Sequence, residues 1–248
     1  LLYLGISGDG DSASIGLGQF VHCIRRGVNM VYITENNGVY GLTKGQFSAT
    51  ADRGSKSKAG GTNNDSPIDL VGMALLAGAT FVARSFSGDK GQLVPLIKAA
   101  MTHNGPAFID VISPCIAFNN HAGSTKSFDF VREHNEAVNR VDFIEGRDEI
   151  TADYAPGSSH DVEQHDGSII RLHKIEPSYD PTDKVSAMDF LQRHHAKGEL
   201  VTGLLYLDSH PRDLHDYLGT VDSPLNRLNE KELCPGSAAL ESINDEYR

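Results

Sequence analysis

A chain of 248 residues with three cysteines is long enough for one large domain, or a domain with an extension, and too poor in cysteine for a disulfide framework. Its 33 acidic against 22 basic side chains, a net charge of −11, argue against nucleic acid and anionic membranes as partners. No apolar run approaches the roughly 20 residues that span a bilayer, no signal peptide is visible, and the expected compartment is the cytoplasm.

The chain opens on "LLYLGIS". Residues 1–6 read as a short buried strand entered partway, so the sequence is expected to be a fragment lacking an N-terminal part. Residues 12–26 carry Ile15, Leu17, Phe20, Val21 and Ile24 at near-helical spacing, with Gly27 as the stop. "VNMVYIT" is a second strand. Residues 35–65 are polar and rich in Gly, Ser and Asn. At about 30 residues this connection is far longer than usual, which points to function. "SPIDLVGMALLAGA" predicts a helix capped by Ser66, with Pro67 at its first position and Asp69 completing a capping-box-like pattern. Residues 80–86 form a strand, 90–103 a helix and 106–113 a strand. This alternation predicts a parallel sheet with helices on both faces, an α/β fold.

Beyond Pro114 the pattern loosens. Helices are expected over 128–141 and 185–197 and a strand over 200–207, with a polar, proline-bearing stretch over 151–181 between them. The expected division is an α/β domain over 1–114 and an extension over 115–248 that packs on it or on a partner subunit.

The first strand runs into Gly8-Asp9-Gly10-Asp11, and the second ends in Glu35-Asn36-Asn37-Gly38. Ligands gather at the carboxyl ends of parallel strands, and backbone N–H groups at a helix start favour phosphate oxygens. Asn37 lies 28 positions beyond Asp9, a crossover length that brings the two mouths together. Mg²⁺ takes hard oxygen ligands, some from protein and others from phosphate, and Asp9, the Asn37 amide oxygen and a nearby carbonyl suit it. The competing structural reading makes Asp9 and Asp11 helix caps and Asn36-Asn37 a turn. Either half alone is weak evidence; the pair at this spacing favours the ligand site. The histidines, among them His121, His160, His165, His173 and the adjacent His194-His195, show no zinc spacing and read as surface residues. Cys23 and Cys234 read as structural or incidental.

The Gly-Asp-Gly and Asn-Asn pair resembles the motif of thiamine diphosphate enzymes. "ENNGVYGLTKGQFSAT", "SPIDLVGMALLAGATFVARSFSGD" and "FIDVISPCIAFNN", in that order, narrow the resemblance to β subunits of 2-oxoacid:ferredoxin oxidoreductases, closest to the 2-oxoglutarate type. It is dense to about residue 140. The stretch "VDSPLNRLNEKELCPGSAAL" is similar to the tail of longer actinobacterial-style β subunits.

The resemblance implies that Asp9 and Asn37 bind Mg²⁺ through side chains and Val39 through its carbonyl. Gly8, Gly10 and Asp11 would line the diphosphate. Tyr40, Leu42 and Thr43 would border the thiamine diphosphate, with Leu42 near its thiazolium, and Lys44 would meet the 2-oxoacid, a cation suiting an anionic substrate. It implies a [4Fe–4S] cluster with Cys115 as one ligand. The remaining three cysteines would lie upstream, since no CxxC occurs here. It also implies an α subunit, which supplies the acidic residue that activates the cofactor, a heterotetramer, and ferredoxin and coenzyme A as reaction partners. Two alternatives stand beside it: a thiamine-dependent decarboxylase or carboligase that does not use ferredoxin, and a truncated docking fragment without catalysis.

Overall fold

In the computed structural model the described residues are 2–57, 60–139, 141, 155, 159–163, 169–173, 179–234 and 236–247. They group into two compact units, Leu1–Leu214 and His215–Arg248.

The first unit follows the predicted alternation. Strand β1 (Leu4–Gly8) enters a π-helical turn (Gly10–Ile15) and helix α1 (Leu17–Arg25). Gly27, at φ 68°, takes the left-handed conformation that ends it. Strand β2 (Met30–Asn36) leads into the long loop, which carries a small hairpin of β3 (Val39–Tyr40) and β4 (Gln46–Phe47). Then come α2 (Leu70–Ala77), β5 (Phe81–Phe86), α3 (Lys90–Thr102) and β6 (Pro106–Ile112). Later residues add α4 (Phe128–His134), β7 (Asn135–Ala137), the antiparallel pair β8 (Ser159–Glu163) and β9 (Ile169–His173), α5 (Lys184–Ala196) and β10 (Leu200–Leu207).

Six strands form one sheet in the order β1-β2-β6-β5-β10-β7. The pairs β1/β2, β2/β6 and β5/β6 are parallel, whereas β10 runs antiparallel to β5. Phe20 and Ile24 of α1, Leu70, Val71 and Leu75 of α2 and Phe190 of α5 pack with Phe108 and Val82 on one face. Leu96 and Ala100 of α3 pack with Val31, Phe81, Ala83 and Ile109 on the other. Alternate residues of β5 and β6 thus feed opposite layers, as a sheet covered on both faces requires. The predicted α/β fold with helices on both faces is the fold observed.

Several local expectations change. The first strand begins at Leu4 and is an edge, with Leu4 and Ile6 exposed, not a buried strand. The single helix expected over 12–26 divides at Gly16 into a π turn and α1. Helix α2 is capped by Asp69, whose side chain accepts from the Val71 N–H, not by Ser66. The helix expected over 128–141 stops at His134, because Asn135–Ala137 pairs with Leu200–Thr202 of β10. The sheet therefore recruits β7 and β10 from beyond residue 114, and the compact unit extends to Leu214. Most of the 151–181 stretch, including His165, lies outside the described residues.

The second unit holds the remainder of α6 (Leu214–Leu218), a 3₁₀ turn (Leu225–Arg227), α7 (Glu230–Leu233), closed by a capping box between Asn229 and Glu232, and α8 (Ser237–Glu246).

Candidate thiamine diphosphate site

The parallel register places Gly8 of β1 opposite Glu35 of β2, so Asp9 and Asn37 leave the sheet from adjacent strand ends. Asp9 is the N-cap residue of the π turn, yet its side chain makes no capping bond to that turn. Its carboxylate crosses to the second mouth instead. Oδ2 accepts from the Gly38 N–H at 3.0 Å and from the Ser48 and Thr50 hydroxyls. Oδ1 has the Asn37 N–H at 3.4 Å. Asp9 is only 1% exposed, and a buried carboxylate is tolerated because these donors replace water.

The second mouth is folded around this contact. Gly38 has φ 75°, a conformation glycine adopts without strain, and a Cβ there would stand 2.8 Å from Asn119 Nδ2. The Asn119 amide donates to the Asn37 carbonyl at 2.7 Å, and Asn37 Oδ1 accepts from the Val39 N–H at 3.0 Å. On the first mouth, Ser12 Oγ donates to the Gly8 carbonyl at 3.0 Å. The Tyr40 hydroxyl donates to the Gly10 carbonyl at 2.9 Å, and a Cβ on Gly10 would fall 2.3 Å from the Tyr40 ring. Asp11 is exposed, and its Oδ2 lies near the space that a Gly8 Cβ would fill.

The donor set fits a hard divalent cation. Asp9 Oδ1 carries one long contact against three donors on Oδ2, and the Asn37 amide oxygen keeps a lone pair beyond the one used by Val39. No group of three or more His, Cys, Asp or Glu side chains able to hold a metal occurs among the described residues; this site draws on only one such side chain.

The other predicted residues lie along the same loop. Leu42 is 99% exposed. Thr43 Oγ1 donates to Gln46 Oε1 at 2.6 Å. Lys44 is exposed and is the non-glycine residue with positive φ, 80°, among those described. Cys115, half-buried, sits beside Gly41, where a Cβ would be 3.6 Å from its Sγ. Cys23 is half-buried against Met30, and burial pushes its thiol upward in pKa. Cys234 is exposed in the second unit. His194 departs from the surface reading: it is buried, stacked on Phe190 and 2.6 Å from Glu199.

Ser48 and Thr50 were not legible as site residues, Asn36 entered only as part of the Asn36-Asn37 pair, and Asp110 and Arg84 behind them did not enter. For the last two a signal existed: one carboxylate in "PAFIDVIS", a strand buried at every position from Pro106 to Ile112, and one guanidinium in the neighbouring "FVARSF". Arg84 bonds Asp110 through Nε at 2.8 Å and Asp69 through Nη2 at 2.5 Å. Burial raises Asp110 above the ordinary carboxylate pKa despite Arg84. Burial also acts upward on Asp69, but the Arg84 charge and hydrogen bonds outweigh it and hold Asp69 below its usual value.

The adjoining crossover mouths thus share one buried aspartate, and residues 3–111 match the family described as thiamine pyrophosphate enzyme, C-terminal TPP binding domain. Among curated proteins, a Sulfolobus 2-oxoacid:ferredoxin oxidoreductase subunit beta is 47% identical over 114 residues, 46% of this chain and 37% of that protein. The 2-oxoglutarate oxidoreductase subunit KorB of Mycobacterium tuberculosis is 38% identical over 52% of this chain and 33% of that protein. The 2-oxoglutarate synthase subunit KorB of Methanocaldococcus jannaschii is 33% identical over 68% of this chain and 64% of its own length. Over the matched stretch the chain is similar to β subunits of 2-oxoacid:ferredoxin oxidoreductases, and it spans about a third of the length of the first of these relatives. A solved structure of 2-oxoglutarate:ferredoxin oxidoreductase from Magnetococcus marinus, with 2-oxoglutarate, coenzyme A and succinyl-CoA bound, superposes with a TM-score of 0.64 at 27% identity. The match covers 95% of this chain and 65% of that one.

Proposed function

We propose that this chain is the thiamine diphosphate-binding part of a 2-oxoglutarate:ferredoxin oxidoreductase β subunit. With an α subunit it converts 2-oxoglutarate and coenzyme A to succinyl-CoA and carbon dioxide, and ferredoxin takes up the electrons. The carrying observation is the reach of the Asp9 carboxylate to the backbone of Asn37 and Gly38 inside the matched domain. The substrate follows the names of the relatives and the ligands of the Magnetococcus marinus enzyme.

In this reading Asp9, Asn37 and the Val39 carbonyl would hold Mg²⁺, and Gly8, Gly10 and Asp11 would line the diphosphate. Tyr40, Leu42 and Thr43 border the rest of the cofactor. When bound, thiamine diphosphate supplies the nucleophilic carbon and the electron sink for decarboxylation. The chain's own residues bind and orient: Ser48 and Thr50 fix the Asp9 carboxylate, and Lys44 presents a cation to the 2-oxoacid carboxylate. Cys115 is one thiolate of a [4Fe–4S] cluster. Such a cluster needs about four thiolates, and this sequence has no CxxC, so its own residues do not complete one. The assembly is a heterotetramer in the cytoplasm; no helix among the described residues is long and apolar enough to cross a membrane.

The test uses the full-length protein with its α subunit. Asp9→Ala is expected to abolish Mg²⁺-dependent binding of thiamine diphosphate in calorimetry, together with 2-oxoglutarate- and coenzyme A-dependent reduction of a low-potential dye. Binding and activity equal to the parent protein would refute the assignment.

A further inference from the structure

The hydrogen bonds around Asp9 continue into the sheet. Thr50 Oγ1, which meets Asp9 Oδ2, also lies 3.0 Å from Asn36 Oδ1. Asn36 Nδ2 donates to Asp110 Oδ1 at 3.1 Å, and Asp110 Oδ2 accepts from Arg84 Nε at 2.8 Å. These groups come from the end of β2, the middle of β6 and β5, where the register sets Asp110 beside both Thr34 and Arg84. Asp110 is fully buried, Thr50 is 1% exposed and Asn36 5% exposed, so water does not compete for their bonds. The row borders a cavity of about 140 Å³ that touches Asn36, Thr50, Asp69 and Arg84.

The chemistry of the donors gives this row a direction. A guanidinium only donates and a carboxylate only accepts. Asp110 therefore accepts from both sides, and Asn36 must turn its NH₂ toward Asp110 and its oxygen toward Thr50. The Thr50 hydroxyl has one hydrogen and two acceptors, Asp9 Oδ2 and Asn36 Oδ1. Ser48 Oγ, 3.1 Å from Thr50 Oγ1, is the other hydroxyl on Asp9 Oδ2.

We propose that Asp110 and Asn36 are positioning residues for the Asp9 metal ligand: by holding the Asn36 oxygen toward Thr50 they make the Thr50 hydrogen shared, which leaves the Asp9 carboxylate electron-rich enough for a divalent cation. This rests on the assignment of Asp9 as a ligand of Mg²⁺. With the cation on Asp9 the hydrogen moves toward Asn36; without it, toward Asp9. If the Asn36 amide is reversed, its NH₂ faces Thr50, the hydrogen is committed to Asp9, and the carboxylate becomes a poorer ligand. Groups that orient a metal ligand from behind typically matter by 10- to 100-fold in metal affinity.

Asp110→Asn imposes that reversal. Arg84 Nε retains the new amide's oxygen, its NH₂ confronts Asn36, and the Asn36 amide must turn. The exchange Asn36→Asp with Asp110→Asn restores an acceptor facing Thr50. The measurement is Mn²⁺ binding by electron paramagnetic resonance at saturating thiamine diphosphate, in the full-length protein with its α subunit, with metal-free thermal unfolding in parallel. Asp110→Asn is expected to weaken Mn²⁺ about tenfold, and the exchange to return affinity to within about threefold of the parent even if its unfolding temperature stays low. A purely structural role makes affinity track unfolding temperature in both variants. If Asp9→Ala leaves Mn²⁺ binding intact, the metal site itself is refuted. If Asp9→Ala abolishes binding but Asp110→Asn binds as the parent does, or the exchange fails to recover, only the positioning role is refuted. Should Asp110→Asn not fold, the exchange decides alone: parent-like affinity supports the proposal and a tenfold loss overturns it.

Discussion

Arg84→Met tests the buried charge row directly. Arg84 joins a fully buried Asp110 to Asp69, the cap of α2, with side-chain exposures of 11%, 0% and 43%. Methionine keeps the length and apolar stem of the arginine but leaves the Asp110 carboxylate with Asn36 as its remaining donor among the described residues. Removing one partner of a buried ion pair costs about 3–5 kcal/mol, because the other charge is left uncompensated. For a chain of this size each kcal/mol lowers the melting temperature by about 2–4 °C, so the expected fall at neutral pH is about 6–20 °C.

The dependence on pH sharpens the test. Burial already raises the folded-state pKa of Asp110 above its unfolded value, so its ionisation opposes folding, a penalty that sets in as pH rises from the unfolded pKa toward the folded one. Loss of Arg84 moves the folded value further up and enlarges that penalty. Asp69 is the opposite case: its folded pKa is lowered by Arg84 against burial, so its stabilisation is present above the unfolded pKa and lost as pH falls through the folded one. Arg84→Met removes it. Both effects make the variant's deficit largest at neutral pH and smaller toward pH of about 4, near the ordinary aspartate pKa. Thermal unfolding followed by circular dichroism across this range measures the difference. A deficit independent of pH, or under about 3 °C at neutral pH, would refute the ionised row.

Two other substitutions probe the loop. Lys44 sits at φ 80°, where a side chain costs about 1–2 kcal/mol. Lys44→Gly is expected to leave stability unchanged or raise it by about 1 kcal/mol, while KM for the 2-oxoacid rises roughly tenfold from the loss of a charged contact; an unchanged KM would remove Lys44 from the substrate site. Gly10→Ala places a Cβ 2.3 Å from the Tyr40 ring and displaces the hydroxyl that bonds the Gly10 carbonyl. Overpacking of this kind costs about 1–3 kcal/mol, a fall of about 2–12 °C in melting temperature, and parent-like unfolding would contradict the close approach.

What was legible in the sequence follows from what is local. Strands β2, β5, β6 and β10 and helix α3 are apolar runs bounded by Gly, Pro or a capping aspartate, and they emerge within about two residues of expectation, inside the usual uncertainty of element ends. The start of α2 was misplaced because Ser66 and Asp69 carry equivalent capping signals; the Ile68 N–H bonds the Ala49 carbonyl at 2.7 Å, pinning residues before Leu70 to the long loop. Residues 135–137 continue a helical pattern but pair with β10, more than sixty positions away in register, which no local period encodes. The Asp9–Asn37 meeting was legible because a crossover has a characteristic span. Ser48 and Thr50 were not, since the loop that delivers them has no sustained period to read.

The competing readings of Asp9 are separated by where its carboxylate goes. A capping aspartate accepts from N–H groups two or three residues ahead. Asp9 has a helical backbone at φ −66°, ψ −32°, and gives its own turn no such bond. The adjacent Ser12 hydroxyl instead bonds back to the Gly8 carbonyl. Among the described residues the donors to the Asp9 carboxylate lie between Asn37 and Thr50, so the side chain latches the far loop onto the sheet edge. The same loop carries Tyr40, Leu42, Thr43 and Lys44. One carboxylate therefore sets both the proposed metal position and the placement of the residues that would face cofactor and substrate, and its loss should disturb both together.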